Sequence, residues 1–555
     1  MLFIPWLGSK RFHTRGEARE ALVIQSILED KDWVLLEGYG GELASKPPLL
    51  HWIGGIVSEL AGEVNEFTSR SPSAFVSIAF LILWFLILQK LVGERVAILS
   101  IFILLTSVEW FRLSTACRVD MVHSGFLAAG LLGLYLFLEG QSKGLFAVLG
   151  LSGAFLAKGP VAIIIPSLVV LFYCKKFQLK SAFILIAVSC ILPLLWYLSA
   201  AKEGGSEFLS IFFSENFSRF TGTLDGHPHK ASVFYLWFSV VVGFLPWTLL
   251  IIPEYLHHSV LPRSSKYKRD FLILSAGESV FARLKRLFLD AYKNFKESYG
   301  ELNNFKKYSL IVILVTLSFY SLPEGKRSVY VLAAYPFISV FLSSYLLQLQ
   351  SRGHKLLGSI VICLTLVLLA VFLSGFGYIF LAPLLTSDPK LLFFAEVYRK
   401  GLEGLSLIQS LLLLSPLVTG AWIILKWSQS YRRSFIPFAF YFFYSWFLSV
   451  SAVLAPIYGN AISAVGFSAA INREFSQEIQ LYSFNYEFYG VSFYADRDII
   501  SKENNFLAGD LVILYESDLQ RLRDIWHGEV ETLLRSQKSI EHPMQYVIVV
   551  RLKSV

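Results

Sequence analysis

Long uncharged runs alternate along this chain with short polar clusters. Runs approaching the thickness of a bilayer core lie at about 73–89, 96–108, 121–138, 144–157, 159–174, 182–200, 233–253, 309–322, 330–348, 356–382, 405–425 and 436–457. They predict roughly twelve transmembrane helices. The runs are too long and continuous for tilted barrel strands, and helices pair every backbone group internally. After about residue 458 the pattern changes. The segments 479–485, 490–495, 511–515 and 545–551 are short and rich in Tyr, Phe, Val and Ile, with a helical period near 517–536 between them. That pattern predicts a small α/β unit. The expected fold class is an all-α polytopic membrane protein, with a membrane domain over 1–460 and a small extracytoplasmic α/β domain over 461–555.

Composition agrees, since 55% of residues are apolar and only 16% charged, whereas soluble domains carry about a quarter charged residues. Orientation follows from basic residues in alternate connections: Lys90 with Arg95, Lys143, Lys175 with Lys176 and Lys180, Arg352 with Lys355, and Lys426 with Arg432 and Arg433. Such loops are cytoplasmic by the positive-inside rule. The loops 14–72, 112–120, 201–232, 323–329 and 383–404, the turn near Lys158, and everything after about 458 are then external. Met1–Gly8 is too short for a signal core, and an external loop 14–72 implies a helix missing ahead of this start. The net charge of +8 has much of its excess in the insert 254–308, where Lys and Arg interleave with Phe281, Leu284, Leu287 and Phe288. A basic amphipathic helix on anionic membrane lipid is expected there, with a solvated linker as the alternative and no nucleic-acid partner. Cys117, Cys174, Cys190 and Cys363 lack metal-like spacing and read as packing residues.

Five polar clusters fall on the predicted external face. The first is Arg15-Gly-Glu-Ala-Arg19, in which Glu17 and Arg19 open an amphipathic helix bearing Leu22, Ile24, Ile27 and Leu28. A carboxylate there either orients a hydroxyl or merely favours the positive helix end, while an arginine grips phosphate. Lys46, stiffened by Pro47 and Pro48, is a candidate phosphate ligand or a snorkelling side chain. Asp120, in Arg118-Val-Asp120, sits at the external end of a helix, where ionisable groups tend to be functional. A plain Arg118–Asp120 contact is the alternative, although residues two apart on a helix do not face each other. The loop 201–232 supplies Glu215 and Arg219 as candidate acceptor or sugar ligands. It also holds His227 and His229, which with Asp225 or Glu215 form a weak candidate set for a divalent metal. Lys326, Arg327 and Tyr330 suit a phosphate ester, or lipid headgroups. Two carboxylates among several cations at one face suit a substrate with a lipid tail, a phosphate and a reacting polar head.

From about Thr14 to Tyr335 the chain resembles the GT-C glycosyltransferases that use polyprenyl-phosphate sugars, in particular the aminoarabinose transferases of lipid A and the protein O-mannosyltransferases. The resemblance is carried by Arg15-Gly-Glu-Ala-Arg-Glu20, Gly40-Gly-Glu-Leu-Ala-Ser-Lys-Pro-Pro-Leu-Leu-His-Trp52, Ala116-Cys-Arg-Val-Asp-Met121, Leu156-Ala-Lys-Gly-Pro160, Glu215-Asn-Phe-Ser-Arg-Phe220, Gly243-Phe-Leu-Pro-Trp247 and Lys326-Arg-Ser-Val-Tyr330. It implies transfer of a sugar, with inversion, from a polyprenyl-phosphate donor to an envelope lipid, glycan or protein on the extracytoplasmic side of a bacterial inner membrane. It also implies that Glu17 and Asp120 are catalytic, that Arg19, Lys46, Lys326, Arg327 and Tyr330 bind phosphate, and that Lys158 in Lys-Gly-Pro is structural. Two departures stand out. Gly16 occupies the place of an aspartate in the family's Asp-Glu pair, and Ser45 that of an acid often preceding the Lys-Pro lysine. The family also begins with a helix before this loop.

A transporter or flippase of lipid-linked sugars is the alternative, predicting broken helices and charges near mid-membrane. A scaffold subunit is the third reading, which leaves the charge clusters unexplained.

Overall fold

The structure, a computed structural model, describes residues 2–215, 231–251, 299–351, 355–430 and 435–554. Arg219, His227, His229 and most of the basic insert 254–308 lie outside the described residues.

The protein is mostly helical. Among the described residues, seven helices are long and apolar enough to cross a membrane, or eight if the bent pair Glu94–Leu105 and Val108–Ser114 is one span. The elements nearest the polar clusters are α1 (Arg15–Asp30), α2 (Leu49–Ala61), α3 (Glu66–Val92), α4 (Glu94–Leu105), α5 (Val108–Ser114), α6 (Val119–Leu138), α7 (Leu145–Lys158) and α8 (Val161–Tyr173). Asn65 starts α3 with a capping box, its side chain accepting from the Phe67 and Thr68 amides while the Thr68 hydroxyl accepts from the Asn65 amide.

The amphipathic pattern of the first loop forms α1 as expected, and its Ile24 and Ile27 are fully buried. They pack on α2, where Gly54 and Gly55 remove the side chains that would collide with Ile24 and Trp33. Helix α6 is the core helix. Its apolar window is 83% buried, against 17% for that of Gly358–Leu385, which presents most of its surface outward. Helices α6 and α7 meet through glycines: a Cβ on Gly150 would come within 2.4 Å of the Gly130 nitrogen. Small residues at such a contact let two helix backbones approach closely inside a membrane.

The C-terminal unit contains a mixed sheet in the order β2-β1-β3-β5-β4, formed by β1 (Leu481–Ser483), β2 (Ile499–Ser501), β3 (Leu511–Tyr515), β4 (Glu529–Arg535) and β5 (Val547–Lys553). β1 runs parallel to β2 and β3, and β5 antiparallel to β3 and β4. Two details differ from the sequence pattern. Residues 490–495, expected as a strand, belong to the helix Tyr489–Ala495, which packs on the helix Val465–Glu474 and on α1 and buries Val491 in the cluster that holds Leu481 and Ile499. The helical period near 517–536 yields only the helix Leu519–Ile525, because after Gly528 the chain pairs with β5 as an edge strand.

Gly150→Ala is expected to destabilise the α6–α7 contact by about 1–3 kcal/mol through overpacking. The thermal midpoint of purified protein checks this against Gly375→Ala, whose site has nothing within 4 Å.

Candidate active site

Helix α1 opens after Thr14 in an extended conformation, so its first turn presents Glu17 inward. Arg70 of α3 meets it: Nε donates to Glu17 Oε1 at 2.7 Å and Nη2 to Oε2 at 3.2 Å. Arg70 Nη1 also donates to the carbonyls of Leu7 at 2.6 Å and Lys10 at 2.5 Å. The Cys117 amide donates to Glu17 Oε1 at 3.2 Å, and Lys10 Nζ lies 3.9 Å from Oε2. Burial alone would raise the Glu17 carboxyl, but Arg70 and Lys10 outweigh it and hold it well below the usual carboxylate range. A carboxylate so saturated is a fastening for the loop and a weak base.

Asp120 lies in the first turn of α6, and Lys158 ends α7. The antiparallel contact of these helices brings the two together, with Lys158 Nζ donating to Asp120 Oδ1 at 2.5 Å. Arg118 Nε lies 3.6 Å from Asp120 Oδ2, contrary to the expectation from helical spacing. The reason is local: Arg118 is the N-cap residue, at φ −146° and ψ 134°, so the helical rule does not reach it. Lys158 Nζ sits 4.7 Å from the centre of the Tyr330 ring, a cation–π distance that ties the 323–330 turn to the same spot. Lys158, expected to be structural, is therefore Asp120's partner. Gly16 closes this group, because a Cβ there would fall within 1.9 Å of Arg118 Nη1.

A second group lies farther along α1. Arg19 Nη2 donates to Glu20 Oε1 at 2.5 Å, and His51 Nε2 is 2.9 Å from Glu20 Oε2. Lys46 forms an ion pair with Glu215. The Glu20 carboxylate foremost, and Glu215 to a smaller extent, stabilise the Arg19 cation, so Arg19 stands in the same electrostatic neighbourhood as the Lys46–Glu215 pair. Lys326 is buried and donates from Nζ to the Ala231 carbonyl at 2.9 Å. Arg327 caps the 3-10 turn Ser328–Ala334, whose Ser328 hydroxyl donates to Glu109 Oε1 at 2.8 Å.

Of the expected residues, Asp120 and Tyr330 meet through Lys158, and Lys46 pairs with Glu215 near Arg19, whereas Glu17 is taken by Arg70 and Lys326 by the Ala231 carbonyl. Arg70, Glu20, His51 and Glu109 were not foreseen as members. An arginine and two carboxylates in or beside apolar runs were the signal available for three of them. Among the described residues, no group of three or more His, Cys, Asp or Glu is arranged to hold a metal ion.

Because folding depresses the Glu17 carboxyl, its stabilisation is full above the unfolded value of about 4.3 and falls away as pH drops toward the folded one. Glu17→Gln is expected to cost about 3–5 kcal/mol near neutrality by leaving Arg70 unpaired. The loss should shrink below about pH 4, as thermal midpoints taken across a pH series will register.

Residues 45–197 match the family of dolichyl-phosphate-mannose-protein mannosyltransferases. The chain is similar to an uncharacterized protein of Aquifex aeolicus, 27% identical over 323 residues that make up 57% of this chain and 64% of that protein. It is also similar to the undecaprenyl phosphate-alpha-4-amino-4-deoxy-L-arabinose arabinosyl transferase of Serratia proteamaculans, 27% identical over 263 residues, or 45% of this chain and 47% of that one. The counterpart from Edwardsiella ictaluri is 25% identical over 265 residues, again 45% of this chain and 47% of the relative. The chain thus spans about half the length of these arabinosyl transferases. In fold it is similar to ArnT from Cupriavidus metallidurans bound to undecaprenyl phosphate, with TM-score 0.69 and 16% identity over 99% of this chain and 96% of that one. Residues 45–197 thus carry the likeness to the protein mannosyltransferase family, and the whole chain shares the fold of that transferase structure.

Proposed function

We propose that this protein moves a sugar from a polyprenyl-phosphate carrier to an envelope lipid, glycan or protein at the extracytoplasmic face of a bacterial inner membrane, inverting the anomeric carbon. The observation that carries the reading is the meeting of Asp120 with Lys158, Arg118 and Tyr330 beside the first turn of α1. The relatives named for undecaprenyl-phosphate arabinosyl transfer support the donor class. In this reading 1–460 is the membrane domain and 461–555 the extracytoplasmic one. In this reading the crossings beyond the seven or eight long spans run through the shorter helices α7 and α8 and the segments around Tyr235–Gly243 and Asn304–Ser321.

Arg19, Lys46, Lys326 and Arg327, with the Tyr330 phenol, neutralise the carrier phosphate, where negative charge accumulates as the sugar–oxygen bond breaks. Glu215 and Arg219 hold the sugar or the acceptor. The acceptor oxygen attacks the anomeric carbon from the opposite side, and polyprenyl phosphate departs with the bonding pair. A hydroxyl acceptor loses its proton to Asp120, which Lys158 and Arg118 hold in place; a phosphate acceptor needs no base, and Asp120 then orients the sugar. Glu17 serves by fixing α1 through Arg70.

Lys46→Ala and Arg19→Ala are each expected to reduce transfer by at least about tenfold while expression and monodispersity remain, the loss of one charge-assisted phosphate contact. Asp120→Asn should lower it by about 10²–10⁴ with a hydroxyl acceptor. Mass analysis of envelope lipids, glycans and proteins from cells with and without the protein identifies the transferred sugar, and each variant is then scored on that product. Wild-type product levels in both cation variants exclude the proposed phosphate site.

A further inference from the structure

Arg19 does not stand alone on α1. Its neighbour Glu20 is buried, and the two Glu20 oxygens are committed to different elements. Oε1 accepts from Arg19 Nε at 3.1 Å and from Arg19 Nη2 at 2.5 Å. Oε2 lies 2.9 Å from Nε2 of His51, a fully buried side chain in the first turn of α2. Burial alone would raise the Glu20 carboxyl, but the Arg19 cation and the His51 hydrogen bond outweigh it and hold it below the usual carboxylate range. A carboxylate only accepts hydrogen bonds, so His51 Nε2 is the donor of this contact. His51 Nδ1 is buried without a partner, which leaves the Glu20 contact as the point that holds the ring. The arrangement orients a guanidinium. Glu20 takes the edge of Arg19 formed by Nε and Nη2. The terminal edge, formed by Nη1 and the other Nη2 proton, has no hydrogen-bond partner among the described residues. Such an edge can grip two oxygens of one phosphate in parallel. The Arg19 side chain is 42% exposed, whereas those of Glu20 and His51 are 4% and 0% exposed, so the cation stands at the surface of a closed support.

We propose that Glu20 and His51 are positioning residues of the transfer site: His51 fixes the Glu20 carboxylate, and Glu20 holds Arg19 by one edge so that the other stays open to the carrier phosphate. The inference rests on the reading of Arg19 as a phosphate ligand and adds what orients it. The full chain in nanodiscs of zwitterionic lipid is titrated with farnesyl phosphate as the probe, and its Kd is measured. His51→Phe keeps a ring and removes the donor, while Glu20→Asp keeps the charge and shortens the reach. Each is expected to weaken farnesyl phosphate binding about fivefold, the net effect of one hydrogen bond. His51→Gln, which restores an N–H donor, should stay within about twofold of the wild type. In an Arg19→Ala background a residue that acts through Arg19 has nothing left to position, so there His51→Phe and Glu20→Asp should each change the affinity by less than about twofold, whereas a packing role loses the same factor in both backgrounds. Thermal midpoints identify a variant that fails to fold, and Glu20→Asp serves where His51→Phe does. Undiminished affinity in both variants, or an equal loss with and without Arg19, overturns the proposal. If Arg19→Ala alone binds farnesyl phosphate as tightly as the wild type, the phosphate reading of Arg19 falls and this inference with it. If Arg19→Ala weakens binding while His51→Phe and Glu20→Asp do not, only this inference falls.

Discussion

Arg70 is the contact on which the external part of this protein depends. One guanidinium holds the N-terminal segment through two carbonyls and α1 through Glu17, which in turn receives the Cys117 amide just before α6. An arginine buried at 0% exposure is tolerated only because its partners surround it. Its planar fork meets the N-terminal segment and α1 at once, with several donors in one plane, which a lysine cannot do. Since Arg19 and Glu20 follow Glu17 on the same helix, their positions relative to α3 and α6 are inherited from that fastening.

The second constraint is the glycine contact of α6 and α7. Antiparallel helices that touch backbone to backbone have little freedom to slide, so the N-terminal end of one and the C-terminal end of the other keep a fixed register. Asp120 and Lys158 sit at those two ends, and their ion pair follows from the packing below them. The C-terminal unit adds a cover on the same side. Its helix Tyr489–Ala495 packs on α1, and Arg15 lies 4.3 Å from the Tyr486 ring centre.

Features set by local pattern were legible in the sequence. The amphipathic stripe of α1, the apolar run of α6 and the strands β3 and β5 all follow from periodicity within a few residues. Asp120 stood out because a carboxylate at the end of an apolar run calls for a partner. Naming that partner was a different matter, because Lys158 is 38 residues away and meets Asp120 only through the α6–α7 packing. The same holds for Arg70 and Glu17, separated by 53 residues. The Arg118–Asp120 contact stayed open in the sequence for a smaller reason, a cap conformation that helical spacing does not describe. Residues 490–495 read as a strand because a short apolar run is ambiguous, and docking on the helix Val465–Glu474 and α1 decided for helix.

Gly16 shows how these pieces bear on charge. In the family the chain resembles, an aspartate commonly precedes the glutamate at this point, so the present chain has one carboxylate fewer at the start of α1. The structure fills the vacated space with the Arg118 guanidinium, which lies where any Cβ at position 16 would be. From there Arg118 reaches Asp120, the acid the site retains. A carboxylate at position 16 would compete for that guanidinium, whereas glycine leaves it to Asp120. The missing acid and the Arg118–Asp120 contact are thus one arrangement, in which the Arg118 and Lys158 cations converge on a single carboxylate and fix its position.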